Sequence, residues 1–248
     1  MEFQTIEVRF QDPICFIKFN RNQDKNTITD QLIEEFSHVL QMCEKDVTVV
    51  VIEGSSEYFC FGADFKGVES SIKNPEPLYE LWLRIASGPY IAIAHVQGRV
   101  NAGGVGFVAA CDIVIANETA LFSLSELIFG LLPACVLPFL IRRVGFQKAN
   151  YMTLMTHPIT VQQAHTWNLV DAYESQSAVL LRKHLLRLKH LSKTGVQRYK
   201  RYSTELYDAL HTCKPLAIKA NQEVFSDSGN LELLNRFIEK GLFPWEVE

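Results

Sequence analysis

The chain has 248 residues, 48% of them apolar, and ordinary amounts of glycine and proline, so it can bury a full-sized core without a staple. Its formal net charge of −4 makes nucleic acid a poor partner for the chain as a whole. Its six cysteines are scattered, with no CxxC pair and no histidine at ligand spacing, which argues against zinc and against a disulfide framework.

Two strand-like stretches come first, Thr5–Phe10 and Ile14–Phe19, the former part of an alternation that runs through Phe3, Ile6, Val8 and Phe10. No basic region with an apolar core precedes them, so no secretory signal is expected and the chain is placed in the cytoplasm. After the polar loop Asn20–Thr27, apolar residues at Leu32, Ile33, Phe36, Val39 and Leu40 recur at helical spacing. A buried strand is expected at Val47–Ile52, a helix around Pro77–Ala86, a strand at Tyr90–Val96, a turn at Asn101–Gly104, a short helix, and a strand at Asp112–Ala116. Strands alternating with helices predict an α/β chain with parallel pairing. The longest strongly apolar stretch, Leu131–Val144, is broken by Pro133 and Pro138 and falls short of the roughly 20 residues a membrane span needs. It is read as core or interface, and no membrane association is expected.

From residue 178 onward the chain reads as helical, which divides it into a core over 1–177 and a helical region over 178–248. Within that region, Val179 to Thr204 holds eight Lys or Arg residues and no acid, the pattern of a basic amphipathic helix or helix pair.

Two loops carry the first chemical signal. Phe59-Cys60-Phe61-Gly62-Ala63-Asp64-Phe65 and Asn101-Ala102-Gly103-Gly104-Val105-Gly106-Phe107 each place small residues just beyond a strand, where main-chain N–H groups can approach a ligand. A helix starting near Gly104 adds its positive dipole end, which favours an oxygen gaining charge. A dinucleotide fingerprint is a poor fit, because the glycines fall as G-G-x-G deep in the chain. A nucleophile elbow is ruled out by the lack of G-x-S-x-G. The third signal is Glu126, just after the short apolar stretch Ala120–Phe122 and before the apolar Leu127–Pro133. Low-dielectric surroundings there would raise its pKa toward the range useful for general acid/base work; a helix N-terminal glutamate in solvent is the other reading.

Together these segments resemble the crotonase (enoyl-CoA hydratase/isomerase) superfamily. Phe59–Phe65 is similar to its F-x-x-G-A-D-[ILF] loop, Ala102–Ile113 to its A-x-G-G-G…C-D-I segment, and Phe122–Pro133 to its F-x-x-P-E-x-x-x-G-x-x-P run. The stretch from Ile159-Thr160 through Gln162 and Ala164 to Leu169-Val170 matches a fourth motif. The resemblance implies a spiral of ββα units, with a helical C-terminal region forming a homotrimer or a dimer of trimers. It further implies an oxyanion hole from the amides of Ala63 and Gly103, flanked by Cys60, Gly62 and Gly104, and no cofactor beyond the phosphopantetheine or CoA that carries the substrate.

The departures narrow the reading. Hydratases of the family carry two catalytic glutamates; the second falls on Glu126, but the first falls on Gly106. Serine replaces the family's proline at Ser125, Asn168 stands in for a glycine, and Ala134-Cys135-Val136-Leu137-Pro138 remodels the acyl pocket. Phe65 to Pro77 is also short for the loop that covers that pocket in relatives. These features resemble the dehydratase of polyketide β-branching cassettes, which converts 3-hydroxy-3-methylglutaryl on an acyl carrier protein to 3-methylglutaconyl. That implies proton transfer by Glu126, with Asp64 and Asn101 as candidates for holding the hydroxyl or distal carboxylate. Lys25 is a candidate for the pantetheine arm, and the basic helices for an acidic carrier protein. The alternatives are a hydratase, isomerase or decarboxylase acting on CoA thioesters, and a non-catalytic crotonase-fold binding protein.

Overall fold

The structure, a computed structural model, describes residues 3–65 and 74–246. Most of the segment expected over the acyl pocket therefore lies outside the described residues.

The N-terminal alternation becomes the antiparallel pair β1 (Ile6–Gln11) and β2 (Ile14–Phe19). Helix α1 (Asp30–Asp46) starts where the Thr29 hydroxyl accepts the Leu32 N–H, and it buries Leu32, Ile33, Phe36, Val39 and Leu40. From there the chain repeats one unit. A long strand is followed by a short strand and then a helix: β3 (Val49–Glu53), β4 (Tyr58–Cys60) and α2 (Glu76–Ser87), then β5 (Ile91–Val96), β6 (Arg99–Asn101) and α3 (Gly103–Ala110). A third pair, β7 (Ile113–Asn117) and β8 (Leu121–Ser123), leads into a 3₁₀ turn at Glu126–Phe129 and then α4 (Leu137–Val144).

The long strands join one sheet in the order β1-β2-β3-β5-β7-β10, where β10 is Ala172–Glu174. The short strands build a second sheet, β4-β6-β8-β9, closed by β9 (Ile159–Thr160). Every consecutive unit adds one parallel strand to each sheet, which is the expected spiral of ββα turns. The long strands are apolar on both faces because both are covered. Ile14, Phe16, Val49, Val51 and Ile93 face Leu180 and Leu181, while Cys15, Ile17, Val50 and Ile52 belong to the main core.

Helices α5 (Phe146–Met155) and α6 (Val161–Thr166) complete the first region. The rest is helical: α7 (Ser177–Leu188), α8 (Lys193–Leu206), α9 (Ala209–Ser226) and α10 (Ser228–Lys240). The basic stretch is thus a helix pair, α7 and α8. Among the described residues no helix is long and apolar enough to cross a membrane.

Candidate active site

The small sheet sets the site. β4, β6 and β8 are parallel neighbours, with Cys60 opposite Val100 and Asn101 opposite Ser123. Their carboxyl ends lie side by side at the ~4.8 Å spacing of paired strands, so whatever follows each strand arrives at one place. Ala63 follows β4, Gly103 follows β6 and Glu126 follows β8. All three line a single cavity of about 300 Å³.

The two amides are oriented by their neighbours. Ile28 N–H donates to the Gly62 carbonyl at 2.8 Å and Asp64 N–H donates to the Ile28 carbonyl at 2.9 Å, forming an isolated parallel bridge centred on Ala63. Because successive amides of an extended segment point to opposite sides, the Ala63 N–H is turned away from Ile28. Gly103 is the first residue of α3, so its N–H has no acceptor within the helix and lies at the positive end of the dipole. The turns carrying these amides abut: a Cβ placed on Gly62 would lie 2.8 Å from the Ala102 Cβ and 3.5 Å from the Gly103 nitrogen. Gly62 sits at φ +90°, and Ala102 itself is held at φ 50°, ψ −126°. That conformation costs a non-glycine residue about 1–3 kcal/mol and is maintained by the packing around it.

Glu126 opens the 3₁₀ turn after β8, with its Oε2 enclosed and without a hydrogen-bond partner among the described residues. Burial pushes its pKa up to about 7, while main-chain hydrogen bonds at Glu126 and Ser125 pull it partly back. The solvent-exposed alternative does not hold. Next to it, the Ser125 hydroxyl accepts from Asn101 Nδ2 at 2.9 Å, and Asn101 Oδ1 accepts from the Ser123 hydroxyl at 2.8 Å. Where relatives fix the backbone with a proline, here a side chain from the neighbouring strand holds the residue before the glutamate.

Asn101 and Lys25 line the cavity, with Lys25 exposed and its ammonium 5.5 Å from the Phe61 ring centroid. Asp64 does not line it. Its carboxylate pairs with Arg21 at 2.8 Å and accepts from Thr27 Oγ1 at 3.0 Å, which ties the Ala63 loop to the segment after β2. Expected as a substrate contact, it is engaged in holding the loop. Cys60, Gly62 and Gly104 also stand behind the cavity wall. Burial raises the Cys60 thiol to about 12, and a Cβ on Gly104 would lie 2.1 Å from the Cys60 carbonyl oxygen. They set the loop spacing and present no functional group.

None of the eight basic residues of the α7–α8 pair lines the cavity. Lys200 is buried against Asp112 at 2.6 Å, and the Lys193 ammonium donates to the carbonyls of Val47, Pro89 and Cys43. Two of the expected surface charges are therefore structural. His95 bridges Glu53 (2.8 Å) and Ser177 (3.0 Å) in a triad-like chain, but His95 and Ser177 are buried and none of the three lines the cavity. Sequence reasoning missed the cavity's far wall, which comes from Trp82 on α2, Asn221 and Phe225 on α9, and Leu234 and Phe237 on α10. A group of three or more His, Cys, Asp or Glu placed to hold a metal ion is not found among the described residues.

The spiral, the two loop amides and the buried carboxylate define a class. The family model for enoyl-CoA hydratase/isomerase matches residues 9–248, and the chain belongs to this family, with the crotonase fold. It is 55% identical to the bacillaene synthase dehydratase PksH of Bacillus subtilis, over 98% of this chain and 97% of the relative. The crystal structure of a putative polyketide biosynthesis enoyl-CoA hydratase (pksH) from Bacillus subtilis superposes with a TM-score of 0.94, covering 98% of this chain and 100% of that one. The 2,3-dehydroadipyl-CoA hydratase of Escherichia coli is more distant, 29% identical over 79% of this chain and 81% of the relative.

Proposed function

We propose that this chain is a hydro-lyase of polyketide biosynthesis that removes water from a 3-hydroxy-3-methylglutaryl thioester, carried on an acyl carrier protein, to give the 3-methylglutaconyl thioester. The observation that carries the reading is the convergence of two main-chain amides and one buried carboxylate at the ends of three adjacent strands. Likeness to a polyketide dehydratase over nearly the whole chain supports the direction of reaction.

In this reading the thioester carbonyl oxygen accepts from the N–H groups of Ala63 and Gly103. Glu126, ionised, takes a proton from the α-carbon, and the electron pair left behind is delocalised onto the carbonyl oxygen as an enolate held by the two amides. Re-forming the carbonyl drives the pair into a Cα–Cβ double bond and expels the β-hydroxyl. The leaving oxygen takes the proton back from Glu126 and departs as water, so the carboxylate is regenerated. A pKa near 7 suits a group that must both take and give a proton at neutral pH.

Lys25, at the cavity rim, is assigned to the phosphate of the phosphopantetheine arm, and the basic residues left exposed on α7 and α8 to the acidic carrier. Exposed apolar residues on α5 (Phe146, Tyr151, Leu154) and α8 (Tyr199, Tyr202, Leu206) support assembly as a homotrimer. The reading is tested by incubating the protein with hydroxymethylglutaryl-carrier protein and measuring intact mass. Loss of one water is expected; no mass change, alongside turnover of crotonyl-CoA, would favour a CoA-linked hydratase.

A further inference from the structure

Gly106, where hydratase relatives carry a glutamate, faces the Trp82 ring: a Cβ built there would meet Cζ2, Cη2 and Cε2 at 2.5, 2.6 and 2.7 Å. The indole thus fills the space from which a second carboxylate would project. Trp82 is 1% exposed, yet it lines the cavity shared by Ala63, Gly103 and Glu126. The ring is fixed edge-to-face by Phe107 (5.9 Å, 84°) and Phe139 (5.8 Å, 75°), so its N–H cannot turn to find another acceptor. Among the described residues, Trp82 Nε1 has no hydrogen-bond partner, and Glu126 Oε2 shares that condition in the same cavity.

An indole N–H only donates, an ionised carboxylate oxygen only accepts, and a hydroxyl does both. The β-hydroxyl of a substrate bound in this cavity has the acceptor capacity for the one group and the donor capacity for the other. We propose that Trp82 Nε1–H is the hydrogen-bond donor to the β-hydroxyl of the substrate, holding the oxygen that leaves. The inference rests on the dehydratase reading above and adds the residue that selects a hydroxylated acyl group.

The bond gains strength as the Cβ–O bond breaks, because the electron pair of that bond moves onto the oxygen facing the indole. Trp82 transfers no proton; the leaving oxygen is protonated by Glu126, and the indole only stabilises the charge in passing. The same donor gives nothing to an acyl chain without a β-hydroxyl.

The test uses the full-length protein with Trp82→Phe, and, to keep the ring's shape while deleting the donor, with Trp82 replaced by 3-benzothienylalanine. Two rates are measured: water loss from 3-hydroxy-3-methylglutaryl-carrier protein, and deuterium wash-in at the α-carbon of 3-methylglutaryl-carrier protein, which has no hydroxyl to hold. Water loss is expected to slow by about 10- to 100-fold in both variants, the effect of deleting one donor to an oxygen that gains charge. Wash-in in the benzothienyl variant should fall far less than water loss does. Undiminished water loss in that variant, or an equal fall in both rates, would overturn the assignment, the latter by showing that the ring matters only for shape. Failure of the wild-type protein to release water would instead remove the dehydratase reading, and this inference with it.

Discussion

Trp82 and Gly106 are complementary: the indole edge lies where any side chain at position 106 would begin, 2.5 Å from its Cβ. The loss of one family carboxylate and the presence of a buried, cavity-lining tryptophan are therefore one structural change. A chain that keeps this ring cannot regain the second glutamate by a single substitution.

Gly106→Ala tests that relationship through stability. Within a helix such a change normally gains about 0.5–1 kcal/mol. Here the methyl collides with a buried aromatic ring clamped on two sides, and overpacking of this kind costs about 1–3 kcal/mol. Denaturant unfolding should show net destabilisation, and the penalty should shrink when Trp82→Ala is already present.

Glu126→Gln separates stability from activity. The carboxyl's folded pKa is raised from 4.5 to about 7, so the folded state holds the proton more tightly than the unfolded state. Wild-type stability should accordingly fall as pH rises through the window from about 4.5 to 7, by up to about 3 kcal/mol, and stay low above it. The glutamine variant lacks that dependence. It should unfold at higher denaturant than the wild type above pH 8 and match it below pH 4.5, while its dehydration rate falls by about 10²–10⁴-fold.

The rate profile follows from the same group. In the proposed mechanism Glu126 acts first as a base, so kcat/KM should rise with pH and reach half its plateau near pH 7. A profile flat from pH 5 to 8 would assign the proton transfer to a different residue.

Asn101→Ala should act through Ser125. Removing the 2.9 Å hydrogen bond frees the residue before Glu126, whose carboxylate must be aligned for proton transfer. The expected result is a kcat lower by about 10-fold with little change in KM, and Ser125→Pro in the same background should recover part of the loss.

Much of this was legible in the sequence. The periodicity of Leu32, Ile33, Phe36, Val39 and Leu40 gave α1, and the apolar runs gave β2, β3, β5 and β7, because long elements with covered faces leave repeating patterns. The loops at Ala63 and Gly103 and the acid at Glu126 were identified by motif. Their convergence was implied only by the family resemblance; periodicity could not show it, because β4, β6 and β8 are three residues each, too short to display a period. Asp64 looked like a site residue because it neighbours one; its partner Arg21 lies 43 positions away, and no local pattern reports such a pairing. Lys193 and Lys200 read as solvated charge for the same reason. Trp82 sat inside an ordinary amphipathic helix, and Gly106 read only as the site of a missing glutamate; the two positions lie 24 residues apart in the chain, and no local pattern reports that they meet.

The most direct test is a structure of the protein with a non-hydrolysable analogue of the hydroxymethylglutaryl-pantetheine thioester. The carbonyl oxygen should lie about 3 Å from the nitrogens of both Ala63 and Gly103, with the α-carbon facing the Glu126 carboxylate. A carbonyl bound away from those nitrogens, or an α-carbon turned from Glu126, would contradict the account.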